Sequence, residues 1–250
     1  MSEWLYRFRK FTGFTVREYV RSGRIVIEIL AMLAALWLLF WPRSSRPISS
    51  EQFFGLGGLV FLGISAYTTL IVMRMGYRPQ NYVVLFRSLG RAGYLAGLYT
   101  ATVLLVGMIY LLLSVLVAIL HSNSLPFSFG GWLLGSLPLL LNVMIVAAFM
   151  TLTAPLVVSG RLRLVLLALV LLALSQDRDV LGDVVGGALG PIQTILGLPL
   201  MPVLGGFNLA VQHSLSLAAL GIMLAQVVLA GLLLAVALLA FERRELILQS

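Results

Sequence analysis

Long apolar runs alternate with short polar segments along this chain, and they predict six helices that cross a membrane. The hydrocarbon core of a bilayer requires about 20 consecutive apolar residues in a helix. Helices are expected because a single helix satisfies its own backbone donors and acceptors inside the bilayer. The fold class is therefore an all-α polytopic membrane protein, with predicted spans at residues 25–41, 53–73, 93–120, 132–158, 162–174 and 215–241.

The segment before the first span, residues 4–28, has the pattern of an amphipathic helix. At about 100° per residue its charges form one stripe, and aromatic residues lie on the other side. Such a helix lies in the membrane surface, either as an anchor alone or as a contact for a cytoplasmic partner. We therefore divide the chain into an interface helix, residues 1–24, and one six-span domain, residues 25–250. The charged stripe consists of Arg7, Lys10, Arg17, Arg21, Arg24 and Glu28, and the aromatic side of Trp4, Phe8, Phe11 and Tyr19.

Composition and charge agree with an integral membrane protein. Hydrophobic residues make up 60% of the chain and charged residues only 10%. The net charge of +8 follows the predicted topology, so nucleic acid is not expected as a partner. Fourteen of the 17 Lys and Arg residues flank the spans on one side, and only Arg43, Arg46 and Arg178 fall on the other. The positive-inside rule places both termini in the cytoplasm, and a bacterial inner membrane is the expected location.

The connection between spans 2 and 3, residues 74–91, is basic and contains no acidic residue. Gly76 and Pro79 are expected to end the incoming helix. Residues 80–89 then form either a short helix along the membrane or a plain positively charged loop. The apolar run YVVLF within this connection favours the short helix.

The chain between spans 5 and 6, residues 175–213, is also unusual. Span 5 is only 13 residues long, about 20 Å of helix, whereas the hydrocarbon core is about 30 Å thick. A stretch interrupted by glycine and proline follows, which excludes one continuous span. It predicts either two short helices that enter the outer leaflet and return, or a loop on the surface. The residues of this proposed re-entrant segment are Gly182, Gly186, Gly190, Pro191, Pro199 and Pro202.

Taken together, the N-terminal amphipathic helix, the six spans, the basic helix between spans 2 and 3 and the broken segment resemble the permease subunit of type 2 ABC exporters. The segment FTVREYVRSGR (14–24) is similar to the interface helix of that family, and FERRELIL (241–248) is similar to its C-terminal tail. The resemblance implies that the chain pairs with a second permease copy or a homologous permease, and that two cytoplasmic ABC ATPase subunits bind the pair. It also implies that the ATPase contacts fall to Arg17, Glu18, Arg21, Gly76, Tyr77, Arg78, Pro79, Gln80 and Asn81.

The sequence lacks a nucleotide-binding motif, so any ATPase is expected to be a separate chain. A P-loop needs a lysine after its glycines, and the single lysine, Lys10, lies in FRKFTG. We therefore expect that this chain is not an enzyme by itself, that it binds no cofactor, and that ATP and Mg are held by the partner. The chain has no cysteine, and His121 and His213 lack partners at metal-ligand spacing, so no metal site is expected.

The predicted spans 2 to 6 have no charged residue near their centres. A pair between Arg24 and Glu28, four residues apart, accounts for the acidic residue at the start of span 1. We therefore expect a lipid-like or amphipathic substrate, or one that moves along a path lined by Thr68, Thr69, Asn142 and Gln226. The alternative is a secondary transporter or channel that is not coupled to ATP, which would carry ionisable groups in the membrane. A structural subunit without transport ranks last, because it would not need a re-entrant segment.

Overall fold

The computed structural model describes residues 2–41, 48–77, 89–121, 127–174, 197 and 200–243. Within these ranges the fold is helical and contains no strand, which confirms the predicted all-α class. A π-helical turn, Glu51–Leu56, leads directly into the third helix. The helices are α1 (Ser2–Arg21), α2 (Ile25–Leu39), α3 (Gly57–Gly76), α4 (Gly90–Leu120), α5 (Phe129–Leu152), α6 (Gly160–Leu174), α7 (Met201–Gln212) and α8 (Leu217–Arg243).

Four described helices are long and apolar enough to cross a membrane. They are Glu51–Gly76, Gly90–Leu120, Phe129–Leu152 and Leu217–Arg243. Helices α1 and α2 meet at 72° and would bring the number to five if the bent pair forms one span. Helix α6 has 15 residues, about 22 Å at 1.5 Å per residue, and is shorter than a usual span. The structure therefore supports a helical membrane protein with four or five candidate spans, and six spans stay a prediction.

The N-terminal segment forms two helices where one amphipathic helix over residues 4–28 was predicted. Helix α1 ends at Arg21, and Gly23 adopts a positive φ of 72°. Glycine takes this left-handed conformation at little cost, so the chain turns there and α2 begins at Ile25. Glu28 consequently lies in the first turn of α2 and not on the charged stripe of α1.

The predicted fourth span, residues 132–158, is wrong at its end, because α5 stops at Leu152. Pro155 has no backbone N–H and disfavours helical conformation in the residue before it, so a helix ends here readily. The chain after α5 makes turns that pack into the core, where Leu156 and Val157 are 1% and 4% exposed. These apolar residues are buried in the protein core, although they are not part of the helix.

The buried residues form two main clusters at the two ends of the helix bundle. One joins α1 to the ends of neighbouring helices and includes Tyr19, Met73, Tyr94 and Phe241. We call this the α1 end; it contains α1, the last turns of α3, α5 and α8, and the first turns of α4 and α6. The opposite end holds a second cluster around Phe54, with the π-helical turn and α7 packed against it. Along the sides, large apolar residues of α4 and α8 are exposed, as suits contact with lipid: Leu111, Val115, Leu224, Val228 and Leu232.

Candidate functional site

The positive charges of the described residues gather at the α1 end of the bundle. Six lie on or directly after α1, and the other five lie in end turns of α3, α4, α6 and α8. One of them, Arg91 at the start of α4, donates from Nη1 to the carbonyl oxygen of Glu242 at 2.9 Å and so joins α4 to the end of α8. The eleven residues are Arg7, Arg9, Lys10, Arg17, Arg21, Arg24, Arg74, Arg91, Arg161, Arg163 and Arg243.

Helix α1 docks on the first turns of α4 through glycines. The ring of Phe11 lies so close to Gly97 that a Cβ there would stand 2.5 Å from Phe11 Cδ1. One turn earlier, a Cβ on Gly93 would meet Trp4 in ordinary contact at 3.5 Å. Small residues four apart allow helices in a bundle to approach closely. This spacing in α4 therefore admits α1, with the Phe11 ring also 5.1 Å from that of Tyr94.

A groove of about 390 Å³ opens where α1 crosses the ends of α3 and α4. Its walls are mainly apolar, with Arg7, Lys10 and Glu18 of α1 supplying charge at one side. The groove brings Glu18 together with Gly76, two residues that are 58 positions apart in sequence and that the family resemblance implies in ATPase contact. The complete lining is Arg7, Lys10, Phe11, Phe14, Thr15, Glu18, Met75, Gly76, Leu89, Tyr94 and Leu98.

The end of α3 is held tightly at this groove. Tyr94 donates its hydroxyl hydrogen to the carbonyl oxygen of Gly76 at 2.8 Å. A Cβ on Gly76 would stand 2.5 Å from Leu98 Cδ1, so glycine is what allows α3 to end against α4. Tyr77, the residue directly after α3, is exposed. The rest of the predicted contact in this connection, Arg78, Pro79, Gln80 and Asn81, lies outside the described residues.

Arg17 and Arg21 are exposed on α1. Neither lines the groove, so these two cations face away from the helix bundle beside it. Glu18, between them in sequence, is half-buried at the groove wall. Helix α1 thus presents its two candidate contact arginines outward while its other face packs on the bundle, as an amphipathic helix should.

A buried carboxyl group lies at the junction of α1, α2 and α3. Glu28 is 1% exposed, and its Oε1 accepts hydrogen bonds from the Tyr19 hydroxyl and from Thr68 Oγ1, the latter at 3.0 Å. The predicted pair between Glu28 and Arg24 is absent, since Oε2 has no hydrogen-bond partner among the described residues. Burial, with the Glu28 carboxyl beside it, raises the pKa of the Tyr19 hydroxyl well above its usual value, so Tyr19 stays a donor.

A second polar cluster joins α5, α7 and α8. Gln226 Nε2 donates to Asn142 Oδ1 at 2.7 Å and to the carbonyl oxygen of Pro138 at 3.1 Å. Asn142 Nδ2 donates to the carbonyl oxygen of Val203 at 2.9 Å. Gly206 of α7 lies directly against both amides, and a Cβ there would overlap Gln226 Nε2. The cluster fixes the position of α7, and Gln226 Oε1 is left without a partner in this part of the structure.

The four residues predicted to line a substrate path are all fully buried within the chain. They do not form one row. Thr68 belongs to the Glu28 junction, whereas Thr69 donates to the carbonyl oxygen of Ser65 in its own helix at 2.6 Å. Asn142 and Gln226 are brought together in the second cluster. In the described conformation Thr68, Asn142 and Gln226 stabilise contacts between helices.

The segment between the fifth and sixth predicted spans is described only in its second part. There α7 has 12 residues, about 18 Å, too short to cross a bilayer. Pro202 lies in its first turn, where the missing N–H of proline would have no helical acceptor in any case. The other predicted residues of the segment, Gly182, Gly186, Gly190, Pro191 and Pro199, lie outside the described residues.

Sequence reasoning missed the Glu28 junction and the role of Gly206. A lone acidic residue at the start of an apolar run was a usable signal for the first, because such a residue in a membrane segment is costly unless it is paired. No local signal singles out Gly206 among the 24 glycines. The described residues also contain no group of three metal-ligating side chains.

Comparison with protein-family models, with curated proteins and with solved structures found no match for this chain.

Proposed function

We propose that this chain is the membrane permease subunit of an ABC exporter, driven by a separate cytoplasmic ATPase. In this proposal two permease subunits, either two copies or one copy and a homologous chain, form the translocation path for a lipid-like or amphipathic substrate. The α1 end faces the cytoplasm of a bacterial cell, and both termini lie there. ATP and Mg are bound by the ATPase.

The observation that carries the proposal is the groove at the α1 end. It unites α1 with the end of α3, so that Glu18 and Gly76, one residue from each of the two segments implied in ATPase contact, line the same groove. The same end carries the described positive charges, which is the distribution that the positive-inside rule gives for a cytoplasmic face. A partner that binds there would contact α1 and the spanning helix α3 together, as coupling of hydrolysis to transport requires.

The test is charge reversal on the outward side of α1. A variant with Arg17→Glu and Arg21→Glu should insert normally, because the apolar helices drive insertion. It should lower the amount of ATPase recovered with the tagged chain about tenfold, equivalent to about 1.4 kcal/mol. The matched control is Arg161→Glu with Arg163→Glu, two reversals at the same end on α6. Equal ATPase recovery with both double variants would show that α1 serves only as an anchor.

The proposed substrate path requires a movement of α7. Asn142 and Gln226 are covered by α7, so they can face a substrate only when α7 moves away from α5 and α8. Helix α7 is short, and the opposite end of the bundle has a cleft of about 830 Å³ between α7 and the π-helical turn before α3. Outward movement of α7 toward this cleft is the step we propose for opening the path.

A secondary transporter is the second candidate, and Glu28 is the observation that favours it. A carboxyl group buried among three helices, with no ion pair to any described residue, is the kind of group that ion-coupled carriers use. The two candidates differ in energy source. Export in vesicles that requires ATP and persists when the proton gradient is dissipated supports the ABC exporter, whereas export that follows the gradient without ATP supports the carrier.

A further inference from the structure

Glu28 occupies a position where three helices meet. Its own helix, α2, starts three residues before it, and the bend of 72° between α1 and α2 lies immediately upstream. Tyr19 lies nine residues before Glu28, on the other side of the bend, and Thr68 lies 40 residues after it in α3. One carboxyl oxygen accepts from both hydroxyls, so a single atom connects α1, α2 and α3.

This connection has little freedom to move. Tyr19 and Thr68 are both 0% exposed, and the Tyr19 ring is packed into the cluster of the α1 end. A carboxyl group removed from water is costly unless hydrogen bonds replace those it had with solvent. Any displacement that separates Glu28 from either hydroxyl would leave more of that group unsatisfied. The two hydroxyls therefore have to move with the carboxyl group.

Helix α1 has a second attachment near its middle, where Phe11 packs on Gly97 of α4. The Phe11 contact is apolar and holds α1 against the bundle, whereas the Glu28 junction holds its last turn at a fixed angle. The groove wall and the outward arginines lie on this one helix, with Arg17 between the two attachments. A force applied to the exposed side of α1 would reach α3 through the hydrogen bonds of Glu28, beside the apolar cluster that Tyr19 shares with Met73.

We infer that Glu28 is a positioning residue: it fixes the angle between α1 and α2 and passes a displacement of α1 to α3. The role belongs to its capacity to accept two hydrogen bonds and not to its charge. It concerns this chain alone and does not depend on which energy source drives transport. Neither Tyr19 nor Thr68 can be replaced by an apolar residue without loosening the connection.

The test measures the distance between α1 and the end of α3. Because the chain has no native cysteine, spin labels can be placed at Arg9→Cys on α1 and Tyr77→Cys after α3, both exposed. The purified full-length chain in lipid nanodiscs should give one narrow distance by pulsed electron paramagnetic resonance. Glu28→Leu and Thr68→Val should each replace it with a broad distribution, since both remove a bond to Oε1.

Two variants serve as matched controls. Thr69→Val removes a buried hydroxyl from the adjacent position of α3, but one that bonds only within its own helix, so the narrow distance should persist. Glu28→Gln keeps an oxygen acceptor while it removes the charge, and it should restore the narrow distance lost in Glu28→Leu. A narrow distance in Thr68→Val, equal broadening in Thr68→Val and Thr69→Val, or broadening in Glu28→Gln would each overturn the inference. If Glu28→Leu fails to insert in the membrane, the comparison of Thr68→Val with Thr69→Val still tests the inference.

Discussion

The absence of a single Cβ atom determines how closely α7 can approach α5 and α8. Gly206 faces the amide groups of Asn142 and Gln226, and a Cβ at this position would stand 3.0 Å from Asn142 Nδ2 and nearer still to Gln226 Nε2. The amides are bonded to each other and to the backbone, so they cannot rotate away without losing those bonds. Glycine at 206 and the amide pair therefore form one packed unit.

Gly206→Ala should destabilise the chain by about 1–3 kcal/mol, the usual cost of overpacking a well-filled site. Thermal unfolding of the purified chain in detergent measures this change. Gly221→Ala in α8 is the control, because a Cβ there meets nothing within 4 Å. Alanine is favoured over glycine in a helix by about 1 kcal/mol, so Gly221→Ala should be neutral or stabilising. Equal unfolding temperatures for the two variants would contradict the packing argument.

Several properties of individual residues could be predicted from the sequence, and others could not. Arg17 and Arg21 are exposed on α1, as the charged stripe predicted. Glu28 does not lie on the predicted charged stripe. That prediction assumed one continuous helix, whereas the turn at Gly23 changes the direction of the chain before Glu28. The amide pair of Asn142 and Gln226 required the contact between α5 and α8, which depends on residues 84 positions apart.

Among the elements, α1 packs against the first turns of α4. Small residues four apart in α4 allow a close neighbour, but they do not indicate which helix it is. The structure shows that the neighbour is α1, with Phe11 seated over Gly97. A hydrophobic pattern predicts where a helix lies and which face is apolar, but it does not identify the helix that packs against that face. The end of α5 at Leu152 was missed for a related reason, since the apolar run continues through buried turns.

Gly97→Leu should lift α1 from α4, because the added side chain needs the space that the Phe11 ring occupies. The reporter is Thr12→Cys, at a position that is 4% exposed in the docked helix. Its reaction with a water-soluble maleimide should become several-fold faster in the Gly97→Leu background. Gly107→Leu in the same helix is the control, since a Cβ at Gly107 has open space, and it should leave the rate unchanged. Slow labelling in both backgrounds would show that Gly97 is not the docking point.

At the scale of the whole molecule, the sequence predicted the class and the distribution of charge. The described cations collect at one end of a helical bundle, as the alternation of charged and apolar segments led us to expect. Hydropathy alone does not give the number of spans, because α2 and α6 each have 15 residues. Helices of about 22 Å are too short to cross a bilayer upright unless the chain or the bilayer adapts.

The most direct test of the proposed function is the composition of the intact complex. A tagged chain would be extracted from its source membrane with mild detergent and analysed by native mass spectrometry, with chain identities assigned by peptide sequencing. The proposal predicts two permease subunits, either two copies of this chain or one copy with a homologous chain, together with two chains that carry a P-loop. A stable assembly that contains this chain and no nucleotide-binding subunit would contradict an ATP-driven exporter.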